Sequence, residues 1–229
     1  ILDSQNSNNY KELINIYLKK SIKNSVPFAI VVRKNCFKKN KKVNSKNRSK
    51  KLLSREKIIK IIIKSIPNNT ITVSTTGFTS RELFEIRKSE KMGHANDFLT
   101  IGGMGHTSQI AAGIAFAKPS QRILCIDGDG SLLMHSGSMA VNALCSNLVH
   151  IVINNGVHDS VGGQPTLAKN INLSELARSF GYGFSVTVDN ENDLIKNLKD
   201  AFKVNISCFI EVKSESGARS DLGRPELSA

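Results

Sequence analysis

The 229-residue chain has no tryptophan, few aromatic residues of any kind, and four cysteines that form no C-x-x-C pair. Unpaired cysteines give no basis for a zinc site or a disulfide framework. Cys125 and Cys208 lie in apolar runs and read as buried thiols of a reducing, cytoplasmic compartment. No apolar stretch approaches the roughly 18 residues that a spanning helix requires. The opening ILDSQNSNN has neither a basic segment nor an apolar core, so it does not read as a secretory signal. It also lacks an initiating Met, which suggests a fragment or a processed product.

Acidic residues are scarce at one end. Residues 1–64 carry 18 Lys and Arg against 3 Asp and Glu, a net +15, whereas residues 65–229 carry 14 against 16. Such a basic quarter attracts phosphate backbones non-specifically. With aromatics at 6% and no base-reading motif, specific nucleic-acid recognition is not expected.

Apolar spacing predicts an amphipathic helix from Tyr10 to Asn24, followed by a buried strand at PFAIVV. One helix and one strand cannot bury each other's faces alone, so residues 1–33 read as the tail of a domain. A Lys-, Asn- and Ser-rich linker covers 34–52, and a second domain covers 53–229. Ser54 is a predicted N-cap for REKIIKIIIKSI. Strands TITVSTT, RILCID, VHIVINN, FSVTV and CFIEVK then alternate with helices starting near Ser80, Ser108, Leu132, Asn172 or Ser174, and Asn192. The helix from Leu132 is expected to run to Cys145. This alternation predicts an α/β fold: a doubly wound, mainly parallel sheet with helices on both faces. Ligands of such sheets bind beyond the C-terminal strand ends.

Chemistry-bearing residues fall at those ends. Gly128-Asp129-Gly130-Ser131 follows RILCID, where glycines permit a tight turn and close approach to an anion. A lone Asp cannot hold an anion, but it can hold Mg²⁺, which takes oxygen ligands from carboxylates, phosphate and water. Asn154-Asn155 closes the next strand, one helix and one strand further on. Gly102-Gly103-Met104-Gly105-His106 precedes a helix of small residues, and Thr75-Thr76-Gly77 ends an earlier strand.

Gly-Asp-Gly followed at this interval by Asn-Asn resembles the motif of thiamine diphosphate (TPP) enzymes. That resemblance implies a metal bound by Asp129, Asn155 and the Val157 carbonyl. The segments NDFLTIGGMGHTSQIAAGIA, IDGDGSLLMHSGSMA, NNGVHDSVGGQPT and GARSDLGRP are similar to the phosphonopyruvate decarboxylase family, over approximately residues 54–225. The implied fold is the TPP-binding fold, and the implied reaction removes CO₂ from 3-phosphonopyruvate to give phosphonoacetaldehyde. Sulfopyruvate decarboxylase, similar around GDGSLLM and GGQPT, stays open as an alternative, as does a non-catalytic TPP-binding fragment.

By the same resemblance Met104 would wedge the cofactor into a bent form, with the Gly102 carbonyl and Met104 amide meeting its aminopyrimidine. Gly128, Gly130 and Ser131, with Thr75 and Thr76, would receive the diphosphate. His106 and His158 are candidates for proton transfer, with Asp159 orienting His158 or capping a turn. His94 is a further histidine that could approach the site. Arg219 and Arg224 have the planar fork suited to a phosphonate, and Arg81 is another possibility. The family's activating glutamate belongs to a pyrimidine-binding domain and usually acts across a subunit interface. Glu12 matches no such motif. The expected partners are therefore that domain or subunit, a second copy of the chain, and a small 2-oxo acid.

Overall fold

A computed structural model describes residues 10–33, 36 and 52–225. The chain forms two compact units, Ile1–Arg48 and Ser49–Ala229. The linker expected at 34–52 lies outside the described residues, apart from Cys36 and Leu52.

In the first unit, α1 spans Tyr10–Asn24 as its apolar spacing predicts, but none of its residues is buried. Tyr17 stacks on Phe28 with ring centroids 6.2 Å apart. The strand expected at PFAIVV does not form. The segment has no regular strand, Val32 makes one isolated bridge, and Val31 stays exposed. β-propensity alone cannot hold a strand, because its stability comes from neighbours that pair with it and cover a face.

The second unit starts with α2 (Arg55–Ser65), whose N-cap Ser54 accepts a hydrogen bond from the Lys57 amide at 3.3 Å. There follow β1 (Ile71–Ser74), α3 (Phe78–Ser89), β2 (Asp97–Leu99), α4 (Thr107–Ala117), β3 (Ile123–Gly128), α5 (Asp129–Met134), α6 (Met139–Asn142) and β4 (Leu148–Asn154). A short hairpin, β5 (Val157–His158) with β6 (Gln164–Pro165), precedes α7 (Leu173–Ser179), β7 (Phe184–Val188), α8 (Glu191–Lys203) and β8 (Cys208–Lys213). Six strands form one parallel sheet in the order β2-β1-β3-β4-β8-β7.

The single helix expected over 132–145 is broken. A 3-10 turn at Ser136–Ser138 separates α5 from α6, and the Ser138 hydroxyl donates to the His135 carbonyl at 2.7 Å. Ser-Gly-Ser offers the backbone competing bonds and loose torsions, which outweigh the helical pattern. Edge strand β2 carries no alternating signal. It is three residues long, and an ion pair from Arg87 Nε to Asp97 Oδ1 at 2.8 Å holds its start.

Period-two alternation sorts the sheet's side chains into two cores. Leu124 and Ile126, Val149, Ile151 and Ile153, and Cys208, Ile210 and Val212 meet α2, α3 and α8. On the opposite face Ile123 and Cys125 meet α4, while Val152 and Phe209 meet α5, α6 and α7. Phe209 is fully buried and packs edge-on against His150 and Tyr182, at 5.3 and 5.5 Å between centroids. Phe209→Ala should destabilise the second unit by about 3–5 kcal/mol. Urea unfolding monitored by circular dichroism checks this, and a loss below about 1 kcal/mol would show that this core is not close-packed.

Candidate active site

The chain runs from β1 outward to β2, then returns to β3 on the other side of β1, so the strand order reverses between β1 and β3. A crevice opens at the carboxyl ends of strands flanking such a reversal. There an open cleft of about 560 Å³ is lined by residues at or just after the ends of β1, β3 and β4, including Thr75, Thr76, Gly128, Asp129, Gly130, Ser131, Asn155, Val157 and His158. Met104 also reaches the cleft, from the glycine-rich turn before α4.

Asp129 opens α5 and is buried, 3% exposed. Burial raises its pKa above the usual carboxylate range, opposed by hydrogen bonds from Thr166 and from backbone amides. The Thr166 hydroxyl donates to Asp129 Oδ2, and among the described residues no Lys or Arg pairs with this carboxylate. Neighbouring Gly130 is dictated by space, since a side chain there would collide with the imidazole of His158. Ser131 ties two other loops to the same turn: its Oγ accepts from Thr75 Oγ1 at 3.2 Å and from the Gly105 amide at 3.1 Å.

After β4 the chain folds into the small hairpin. The Thr166 amide donates to the Gly156 carbonyl at 3.0 Å, which returns Thr166 to Asp129. Asn155 lies at the base of this hairpin; its Oδ1 accepts from the Val157 amide at 3.1 Å. Asp159 does not bond to His158. Its Oδ2 instead accepts from Asn155 Nδ2 at 2.7 Å, Arg55 Nη1 at 3.1 Å and the Gly217 amide at 2.8 Å. Arg55 is buried and clamps Glu82 through Nε and Nη2, at 2.8 and 2.9 Å. Burial alone would lower the pKa of Arg55, but the contacts with Glu82 and Asp159 outweigh it and raise it.

Several predicted residues lie elsewhere. His106 is exposed and stacks on His135, centroids 4.4 Å apart, and Gly102 is exposed; neither lines the cleft. His94 stacks on Phe84 at 4.2 Å and reaches Asp97. Arg219 is held by Glu56, Glu85 and Asp221, so its charge is already met within the protein. Arg224 is exposed and does not line the cleft. Conversely, Arg55, Phe78, Thr79, Ser160 and Thr166 carry no site signal of their own, yet the first four line the cleft and the last binds Asp129. Only the GGQPT segment, similar to the decarboxylases, pointed toward Thr166.

The model of the thiamine pyrophosphate enzyme C-terminal TPP-binding domain matches residues 75–212, well over half of the chain. A phosphonopyruvate decarboxylase of Streptomyces hygroscopicus is 34% identical over 168 residues, covering 72% of this chain and 40% of that protein. The sulfopyruvate decarboxylase subunit beta of Methanocaldococcus jannaschii is 33% identical over 147 residues, covering 63% of this chain and 74% of that subunit. The present chain thus spans about two fifths of the phosphonopyruvate decarboxylases it matches. In fold it is similar to benzoylformate decarboxylase from Polynucleobacter necessarius, with a TM-score of 0.61 at 12% identity over 80% of this chain and 36% of that one. With the residue 75–212 match embracing the strand ends that build the cleft, the chain belongs to the thiamine pyrophosphate enzymes, as their C-terminal TPP-binding domain.

Proposed function

We propose that this chain is the Mg²⁺- and diphosphate-holding part of a TPP-dependent decarboxylase acting on 3-phosphonopyruvate. The observation that carries the reading is Asp129: a buried carboxylate that no Lys or Arg pairs with among the described residues, with His158 as its only charge-assisting neighbour, sharing one cleft with Asn155 and Val157. An amide oxygen, a carboxylate and a backbone carbonyl are the hard donors that Mg²⁺ takes, leaving room for phosphate and water. The hydroxyls of Thr75 and Thr76 suit the phosphate end. Met104 supplies an apolar wall that suits the cofactor's rings.

When bound, TPP supplies a thiazolium that accepts the electron pair left as CO₂ departs. Asp129, Asn155 and the Val157 carbonyl would hold the cation, and the cation would hold the diphosphate. His158 lines the cleft and is the candidate to carry a proton there. For the substrate's second acid group the candidate is Arg81. Its guanidinium stacks 5.6 Å from the centroid of the cleft residue Phe78, and no carboxylate pairs with it among the described residues. A pyrimidine-binding domain or subunit would supply the activating glutamate, in a cytoplasmic homo-oligomer. Sulfopyruvate is the second reading, favoured by the coverage of the Methanocaldococcus jannaschii subunit.

Asp129→Asn should abolish Mg²⁺-dependent TPP retention in equilibrium dialysis; unchanged affinity would remove Asp129 from the metal site. The same change should stabilise the metal-free protein at pH 7. Because burial raises the folded-state pKa of Asp129, the stability linked to its protonated form is full below the unfolded pKa and lost as pH rises through the folded one. Relieving this charge should raise Tm at pH 7 by a few degrees, for a gain on the order of 1 kcal/mol, and the advantage should shrink toward pH 3. An equal or lower Tm at pH 7 would contradict the unpaired-charge account.

With the full-length gene product, kcat/KM should be higher for phosphonopyruvate than for sulfopyruvate, measured side by side by CO₂ release. Arg81→Gln should raise KM for either acid at least about tenfold. The reverse preference establishes the sulfonate reading, and an unchanged KM removes Arg81 from substrate binding.

A further inference from the structure

Resting on the metal reading above, we infer that Asp159 is a positioning residue for the metal ligand Asn155, and that Arg55 and the C-terminal segment hold Asp159 in place for that task. The two ends of an amide have nearly the same shape, so a side-chain amide at a metal site can turn its nitrogen toward the cation and lose a ligand. An ionised carboxylate only accepts hydrogen bonds. Facing Asn155 at 2.7 Å, Asp159 Oδ2 therefore selects Nδ2 for itself and directs Oδ1 to the opposite branch, where the Val157 amide already finds it.

The selecting carboxylate is itself fixed from both ends of the unit. Leu53, just before α2, bridges in parallel to Ser214 after β8, and the Glu215 amide donates to the Leu53 carbonyl at 2.9 Å. That pairing sets Arg55 beside Gly217. Arg55 Nη2 donates to the Gly217 carbonyl at 3.2 Å, while the Gly217 amide donates to Asp159. Gly217 has φ of +112°, a conformation other residues adopt only with strain. Glu82, bound bidentately by Arg55, fixes the guanidinium plane. Three segments remote in sequence thus converge on one carboxylate oxygen, and that oxygen orients one proposed ligand.

The test exchanges donor and acceptor. In the full chain, the Mg²⁺ concentration giving half-maximal TPP binding is measured by dialysis for Asn155→Asp, Asp159→Asn and the double exchange. Asn155→Asp sets two carboxylates against each other and should raise that concentration at least about tenfold, the scale seen when a partner behind a metal ligand is lost. The double exchange restores one donor and one acceptor between these two side chains, but it also turns an amide nitrogen toward the Arg55 and Gly217 donors, so it should recover only part of the loss. Asp159→Asn alone should raise the Mg²⁺ requirement. Should it fail to fold by circular dichroism, Asn155→Asp decides the question, because Asn155 is only half-buried. If folded Asp159→Asn keeps the parent's Mg²⁺ requirement, or if Asn155→Asp binds Mg²⁺ as well as the parent, the clamp is overturned. Asp129→Asn in the same assay separates the two ideas: loss of Mg²⁺ dependence there keeps the metal reading standing even where the clamp fails.

Discussion

A carboxylate buried at the end of a central strand must find compensation, and in this molecule the rest of the site follows from that need. Asp129 has a threonine hydroxyl and backbone amides around it, which favour its charge, and burial opposes them more strongly. On the proposed reading a divalent cation would resolve the conflict, and a cation so held would take a diphosphate that the protein would otherwise have to meet with arginines. The cleft accordingly combines hydroxyl, amide and glycine residues with apolar ones, and residues 65–229, which supply nearly all of its lining, have no excess of basic side chains. Its one lining arginine, Arg55, is already committed to Glu82 and Asp159.

The sheet makes such a site possible by what it leaves at its carboxyl edge. β1, β3 and β4 are adjacent and parallel, so their following loops emerge side by side although they come from distant parts of the chain. Each loop is then tied to another: Ser131 to Thr75 and Gly105, Thr166 to Asp129, Asp159 to Asn155 and Gly217. Rigidity of this kind would let the proposed metal site keep its geometry as the cofactor binds.

How much of this was legible depended on whether the signal was local. RILCID, VHIVINN and CFIEVK are apolar runs bounded by turn residues, and their strands appear at β3, β4 and β8. Asp129, Asn155 and Thr75 were legible as cleft residues because strand ends in a parallel sheet share one side. Arg55 was not, because its significance lies in Asp159, 104 residues away, and no periodicity encodes that pairing. Arg219 looked free for an anion, but three carboxylates, two of them far away in sequence, claim it. PFAIVV misled for the opposite reason: its strand propensity is strong, but a strand also requires neighbours. The break at Ser136–Ser138 shows small polar residues overriding a helical pattern that reads well from its apolar positions alone.

A crystal structure with TPP and Mn²⁺, which takes the same oxygen ligands and is located by anomalous scattering, tests the central claim most directly. The account predicts one ion bridging the diphosphate to the Asp129 carboxylate, the Asn155 side-chain oxygen and the Val157 carbonyl, each at roughly 2.2 Å. An ion bound elsewhere, or a diphosphate seated in the cleft with Asp129 still facing only Thr166, would contradict it.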